Sequence, residues 1–82
     1  MLIKYSRDAV KFLDKQPKKT VARIRDAIFK LTLNPPEGDI ILMQGYTDSR
    51  KRLRIGSWRV IFKFDTENLL IIDIGNRGNI YK

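Results

Sequence analysis

Eighty-two residues with 17 Lys or Arg, 9 Asp or Glu and no His or Cys exclude a good deal at once. The length predicts one small domain spanning residues 1–82, a size that buries roughly 60–65 % of the unfolded surface and needs nearly every long apolar side chain in its core. Without Cys or His there is no disulfide, thiolate metal site, Ser-His-Asp triad or imidazole acid–base pair. If the chain is an enzyme, it works with Lys, Arg, Tyr and carboxylates alone, and no metal or cofactor is expected. The net charge of +8 favours a polyanionic partner: RNA, DNA, an anionic membrane surface or an acidic protein. The longest purely apolar runs, Ile40 to Met43 and Leu69 to Ile72, are four residues long, far short of the roughly 18–20 that span a bilayer. Neither a signal peptide nor a membrane partner is predicted, and the Cys-free composition fits a cytoplasmic location.

The elements follow in chain order. Leu2 to Tyr5 alternates weakly and reads as a short strand. Ser6 is a good N-cap, and Asp8 suits the positive end of the helix that follows. Ala9, Phe12, Leu13 and Gln16 share a face, which predicts a helix over 7–15. Pro17 interrupts it and suits the first turn of a second helix. There Val21, Ile24, Ile28 and Leu31 form a core-facing stripe. Asn34-Pro35-Pro36-Glu37-Gly38-Asp39 ends that helix in a loop.

Downstream the period changes to two. Residues 50–55 and 58–65 read as strands joined by Gly56-Ser57, with Gly first as a type II′ turn prefers. Thr66-Glu67-Asn68 turns the chain into a strongly apolar strand over 69–75. The order is strand, helix, helix, then a three-stranded meander. It predicts an α+β domain, with the N-terminal strand and helical hairpin packed on a twisted, mostly antiparallel sheet.

Between Ser49 and Phe64 there are six cations and no acid. Alternation assigns Val60, Phe62, Phe64 and Leu53 to the core face. It assigns Arg50, Arg52, Arg54, Arg59 and Lys63 to the open face, with Lys51 snorkelling from the core side near an edge. Five like charges on a two-stranded ribbon repel one another, and a bound polyanion would relieve that repulsion. Arg also offers planar, bidentate recognition of phosphate. Asp48 and Asp65 flank the stretch without interleaving. The alternative is a solvated sheet face that happens to be basic.

Residues 1–33 carry nine cations against three acids. That pattern fits solvated helix faces or an acidic partner segment lying across the helices. Trp58 reads as a packing residue beside the hairpin. Asp73 alternates onto the face of Leu69 and Ile71 and reads as a structural partner for Arg59 or Arg77. Arg77 and Tyr81 follow the last strand closely enough to fold back over the open face.

An Arg array around a phosphodiester can stabilise the dianionic, pentacoordinate state formed when a ribose 2′-OH attacks its own 3′-phosphate. The nucleophile then belongs to the RNA. Arg, with a pKa above about 12, is a poor general base, which leaves Tyr81 as the best titrating candidate. Such chemistry selects RNA over DNA.

Taken together, the chain resembles the RelE-type toxins of the RelE/ParE superfamily, from bacterial and archaeal toxin–antitoxin pairs. The resemblance runs from the opening strand and helical hairpin through the Asn34-Pro35 loop and Leu42-Met43-Gln44-Gly45. Its best part is Arg52-Leu53-Arg54-Ile55-Gly56-Ser57-Trp58-Arg59-Val60, and Gly75-Asn76-Arg77 and Tyr81 complete it. It implies a microbial ribonuclease-like fold and cleavage of mRNA in the ribosomal A site. Arg50 and Arg52 would contact phosphate, Arg59 and Arg77 would stabilise the transition state, and Tyr81 would act as general base. Arg54 and Lys63 would extend the RNA-binding face. Arg50 and Arg52 stand where RelE has lysines, one of them a proposed proton donor, so the general acid is unassigned. The implied partners are the ribosome, mRNA and an acidic antitoxin that joins the chain in a hetero-oligomer. Two further readings stand beside this one: a ParE-like toxin that inhibits DNA gyrase without cleaving RNA, and a basic, non-catalytic nucleic-acid-binding module.

Overall fold

The computed structural model describes residues 1–76. Five strands and two helices follow in the order β1 (Leu2–Tyr5), α1 (Arg7–Asp14), α2 (Lys18–Phe29), β2 (Asp39–Leu42), β3 (Lys51–Ile55), β4 (Trp58–Asp65) and β5 (Asn68–Asn76), with a 3-10 turn at Lys30–Thr32 extending α2. The two helices pack on one mixed sheet of order β1-β5-β4-β3-β2. Only the β1–β5 pair is parallel; the other three are antiparallel. This is the α+β architecture the periodicity predicts, with one correction. The meander has a fourth strand, because Asp39–Leu42 pairs with β3 and becomes a sheet edge.

Local chemistry explains the boundaries. Ser6 caps α1, its Oγ accepting from the Ala9 N–H at 3.0 Å, and Asp8 lies in the first turn. Pro17 sits just outside α2, one position earlier than the sequence suggests. Ile24, Ile28 and Leu31 on the α2 stripe and Ala9 on α1 are fully buried. They close on Leu53, Val60, Phe62, Leu69, Ile71 and Ile74 from the sheet, and Phe12, Leu13 and Trp58 pack at the margin. Apolar burial of this kind supplies the main folding force. Gly56 has φ 58°, and neither Ser57 nor Trp58 is left-handed, as a type II′ turn demands.

A β-bulge corrects a second expectation. Ile61 pairs with Asp73 while Phe62 pairs with Ile71, so Ile72 is an extra residue in β5. Beyond it the faces exchange. Leu69 and Ile71 face the helices, but Asp73 shares the opposite face with Ile61 rather than the face of Leu69 and Ile71. Alternation resumes with Ile74 opposite Val60 in the core.

Candidate nucleic-acid interface

The face of the sheet away from the helices can be read row by row from the registers. One row runs Asp39, Arg54, Arg59, Gly75 across β2 to β5; the next runs Ile41, Arg52, Ile61, Asp73. In a third, Lys63 stands opposite Leu70, whose other neighbour is Lys4 of β1. The Met43 N–H donates to the Arg50 carbonyl at 3.1 Å, extending the β2–β3 ladder by a residue. Continuing the β3–β4 register by one step sets Arg50 beside Lys63. Arg50, Arg52, Arg54, Arg59 and Lys63 therefore share one face. Lys51 lies on the other, its Nζ 5.8 Å from the Phe64 ring centroid.

The cations on that face differ in state. Arg59 is the buried charged residue of the described chain, at 6 % exposure. Its Nη1 donates to the carbonyls of Trp58 (3.2 Å) and Gly56 (3.4 Å), while its Nε meets no acceptor among the described residues. Gly75 stands opposite it on β5 and adds no side chain there. Arg59 is thus drawn down against the β3–β4 hairpin, with its guanidinium fixed by the turn.

Arg54 and Arg50 are partnered. Arg54 Nε donates to Asp39 Oδ2 at 2.6 Å across the β2–β3 pair. Arg50 grips Asp48 with both arms, Nε to Oδ1 at 3.0 Å and Nη2 to Oδ2 at 2.8 Å, and Lys63 Nζ lies 3.5 Å from the same Oδ2. Asp48 therefore interleaves with the basic face after all, contrary to the sequence expectation. These hydrogen bonds, with the charges of Arg50 and Lys63, hold the Asp48 carboxyl far below the ordinary carboxylate range and raise the pKa of Arg50. Arg50 also lies over the Tyr46 ring, 4.3 Å from its centroid. Asp39, Tyr46 and Asp48 are the residues that sequence reasoning missed.

Of the two partners expected for Asp73, Arg59 is not paired with it, the Asp73 Oδ1 accepting instead from the Ile74 N–H at 2.9 Å, and Arg77 falls beyond residue 76. Arg77 and Tyr81, the other two nominated catalytic residues, lie outside the described residues.

The hairpin beneath Arg59 is braced from the helical side. Arg23 of α2 lies over the Trp58 ring at 5.5 Å, and its guanidinium covers Gly56. A groove of about 300 Å³ separates the helices, lined by Tyr5, Val10, Leu13, Asp14, Val21 and Arg25. No helix of the described residues is long and apolar enough to cross a membrane.

Comparison with known proteins agrees with this architecture. The chain is similar over 95 % of its length to the toxin of an archaeal RelE–RelB complex from Pyrococcus horikoshii OT3, with 27 % identity, 96 % of that chain covered and a TM-score of 0.73. The fold also matches a chain of the E. coli DinJ–YafQ toxin–antitoxin complex (16 % identity, 98 % and 96 % coverage, TM-score 0.78). The isolated E. coli RelE toxin superposes with a TM-score of 0.74 at 14 % identity, covering 98 % of this chain and 89 % of that one. No curated protein matches. The family model for the ParE toxin of type II toxin–antitoxin systems, parDE, matches residues 3–81. The chain is therefore a toxin of the ParE toxin family, within the RelE/ParE superfamily.

Proposed function

We propose that this toxin is a ribosome-dependent mRNA endonuclease whose arginine-lined sheet face stabilises the phosphodiester transition state. The observation that carries this reading is Arg59. A buried guanidinium, fixed by two hairpin carbonyls on a cation-rich open face, is a preorganised charge of the kind that stabilises a developing dianion. The resemblance to RelE toxins supports the same chemistry.

In this mechanism the 2′-oxygen attacks phosphorus, the bond to the 5′-oxygen breaks, and a 2′,3′-cyclic phosphate and a 5′-hydroxyl result. Tyr81 takes the 2′-OH proton, and the 5′-oxygen is protonated by a donor still unassigned. Arg59 and Arg77 stabilise the phosphorane charge, while Arg50, Arg52, Arg54 and Lys63 hold the flanking backbone. An acidic antitoxin is the inhibitory partner. RelE and YafQ relatives are found in complexes with RelB and DinJ, and the basic helices suit an acidic segment.

A second reading, gyrase inhibition without RNA cleavage, is favoured by the ParE family match. Primer extension on mRNA in a translating extract separates the two. The nuclease reading predicts cuts that need ribosomes and persist in EDTA. Intact message with gyrase-dependent DNA breaks supports the second reading and overturns the first.

A further inference from the structure

The two oxygens of the Asp48 carboxylate occupy the positions at which the non-bridging oxygens of a phosphodiester would meet Arg50 and Lys63. They take the two arms of Arg50, the geometry in which Arg grips the non-bridging oxygens of phosphate. Lys63 supplies a second cation to one of those oxygens from the adjacent strand. Tyr46, beneath the Arg50 guanidinium and 49 % exposed, adds an aromatic face beside the anion site.

We propose that Arg50 and Lys63 form a phosphodiester subsite for single-stranded RNA, occupied in the free toxin by Asp48 as an internal mimic, with Tyr46 as the stacking platform for the adjoining base. RNA must displace Asp48 to enter, so the carboxylate acts as a built-in competitor that weakens binding. A peptide of acidic and aliphatic residues could also meet the two cations, but it would gain no stacking on Tyr46. Every nucleobase presents a π-face to an aromatic ring. The choice of ligand rests on the ribonuclease reading; the self-occupied site does not.

The test is binding of a fluorescent single-stranded RNA hexamer to the full chain at several salt concentrations. Asp48→Asn is compared with the parent and with Asp65→Asn, which removes an acid elsewhere on the surface. Asp48→Asn should bind roughly two- to fivefold tighter than the parent. Its plot of log affinity against log salt should steepen by about 0.7 for each phosphate newly engaged. Asp65→Asn should change both far less. Adding Tyr46→Ala to Asp48→Asn should weaken binding at least about fivefold, and that loss should vanish with an abasic oligomer.

Equal effects of Asp48→Asn and Asp65→Asn would overturn the proposal. So would an acidic hexapeptide that shows the Asp48→Asn gain when RNA does not. The two readings fail separately. Message cleavage by the parent with no Asp48 effect on binding removes the subsite and leaves the nuclease. Tighter RNA binding by Asp48→Asn, without cleavage by any variant, does the reverse.

Discussion

Ser6 and Ile72 lie 66 positions apart, yet the Ser6 hydroxyl donates to the Ile72 carbonyl at 2.6 Å while accepting from the Ala9 N–H. The Ser6 N–H also donates to the Ile71 carbonyl at 2.9 Å. One side chain therefore caps α1 and satisfies the bulged residue that turns Asp73 onto the basic face. Ser6→Ala should destabilise the fold by about 1–2 kcal/mol, through the lost cap and the orphaned carbonyl. Ser6→Thr should retain most of the stability. Ser6→Asp should fall between them, since a carboxylate caps but cannot donate. Urea denaturation of the four proteins checks the order.

Thr66 has φ 51° at the β4–β5 turn, where a β-branched side chain is strained. Thr66→Gly should stabilise the protein by about 0.5–1 kcal/mol despite the added freedom of the unfolded chain. In a domain this small that raises Tm by roughly 2–8 °C, readable by thermal denaturation.

Arg23 and Gly56 join α2 to the hairpin that holds Arg59. Arg23→Ala removes the guanidinium from the Trp58 face and should cost about 0.5–1 kcal/mol. Gly56→Ala forces a left-handed Ala and sets its Cβ 3.2 Å from Arg23 Nη2. It should cost about 1–2 kcal/mol. Because the two changes share a contact, part of the Gly56→Ala cost should disappear in the Arg23→Ala background. A double-mutant cycle by chemical denaturation measures the coupling.

Asp48 sets an acid-side pH dependence. Its carboxyl has an ordinary pKa of 3.8 and a lowered one in the fold, held by Arg50 and Lys63. A depressed folded pKa gives stability that is fully present above the unfolded value and is lost as pH falls through the folded one. Relative to Asp48→Asn, the parent should hold its stability difference constant at neutral pH. It should lose that difference progressively from about pH 4 downward. Parallel pH titrations of Tm check it; a difference that is flat down to pH 2 would remove the Asp48 linkage.

The helical core was legible because Ile24, Ile28 and Leu31 recur at helical spacing and have few other ways to be buried. The hairpin was legible because Gly56 supplies a left-handed residue between two alternating runs. The edge strand was not, since Asp39 to Leu42 is short, follows a proline loop and lacks alternation. With it went the Asp39–Arg54 pair, which depends on a strand pairing 15 residues away. The bulge was hidden inside Leu69 to Ile72, where every residue is apolar and a one-residue slip leaves no trace in the pattern. That is why simple alternation places Asp73 on the wrong face. The Asp48–Arg50 contact needed the left-handed Ser49 between them, which composition alone does not announce. The basic face itself could be read by alternation, but its charge state depends on those two acids.

The most direct measurement uses purified toxin, ribosomes and an mRNA with a mapped cut, alongside the same message carrying a single 2′-deoxynucleotide on the 5′ side of that cut. The 2′-OH mechanism predicts a 2′,3′-cyclic phosphate at the cut, no cleavage of the deoxy-substituted message, and a rate loss of roughly 100-fold or more for Arg59→Ala in a chain that still folds. Cleavage of the deoxy message at the same position, or an Arg59→Ala variant cutting at the parent rate, would contradict it.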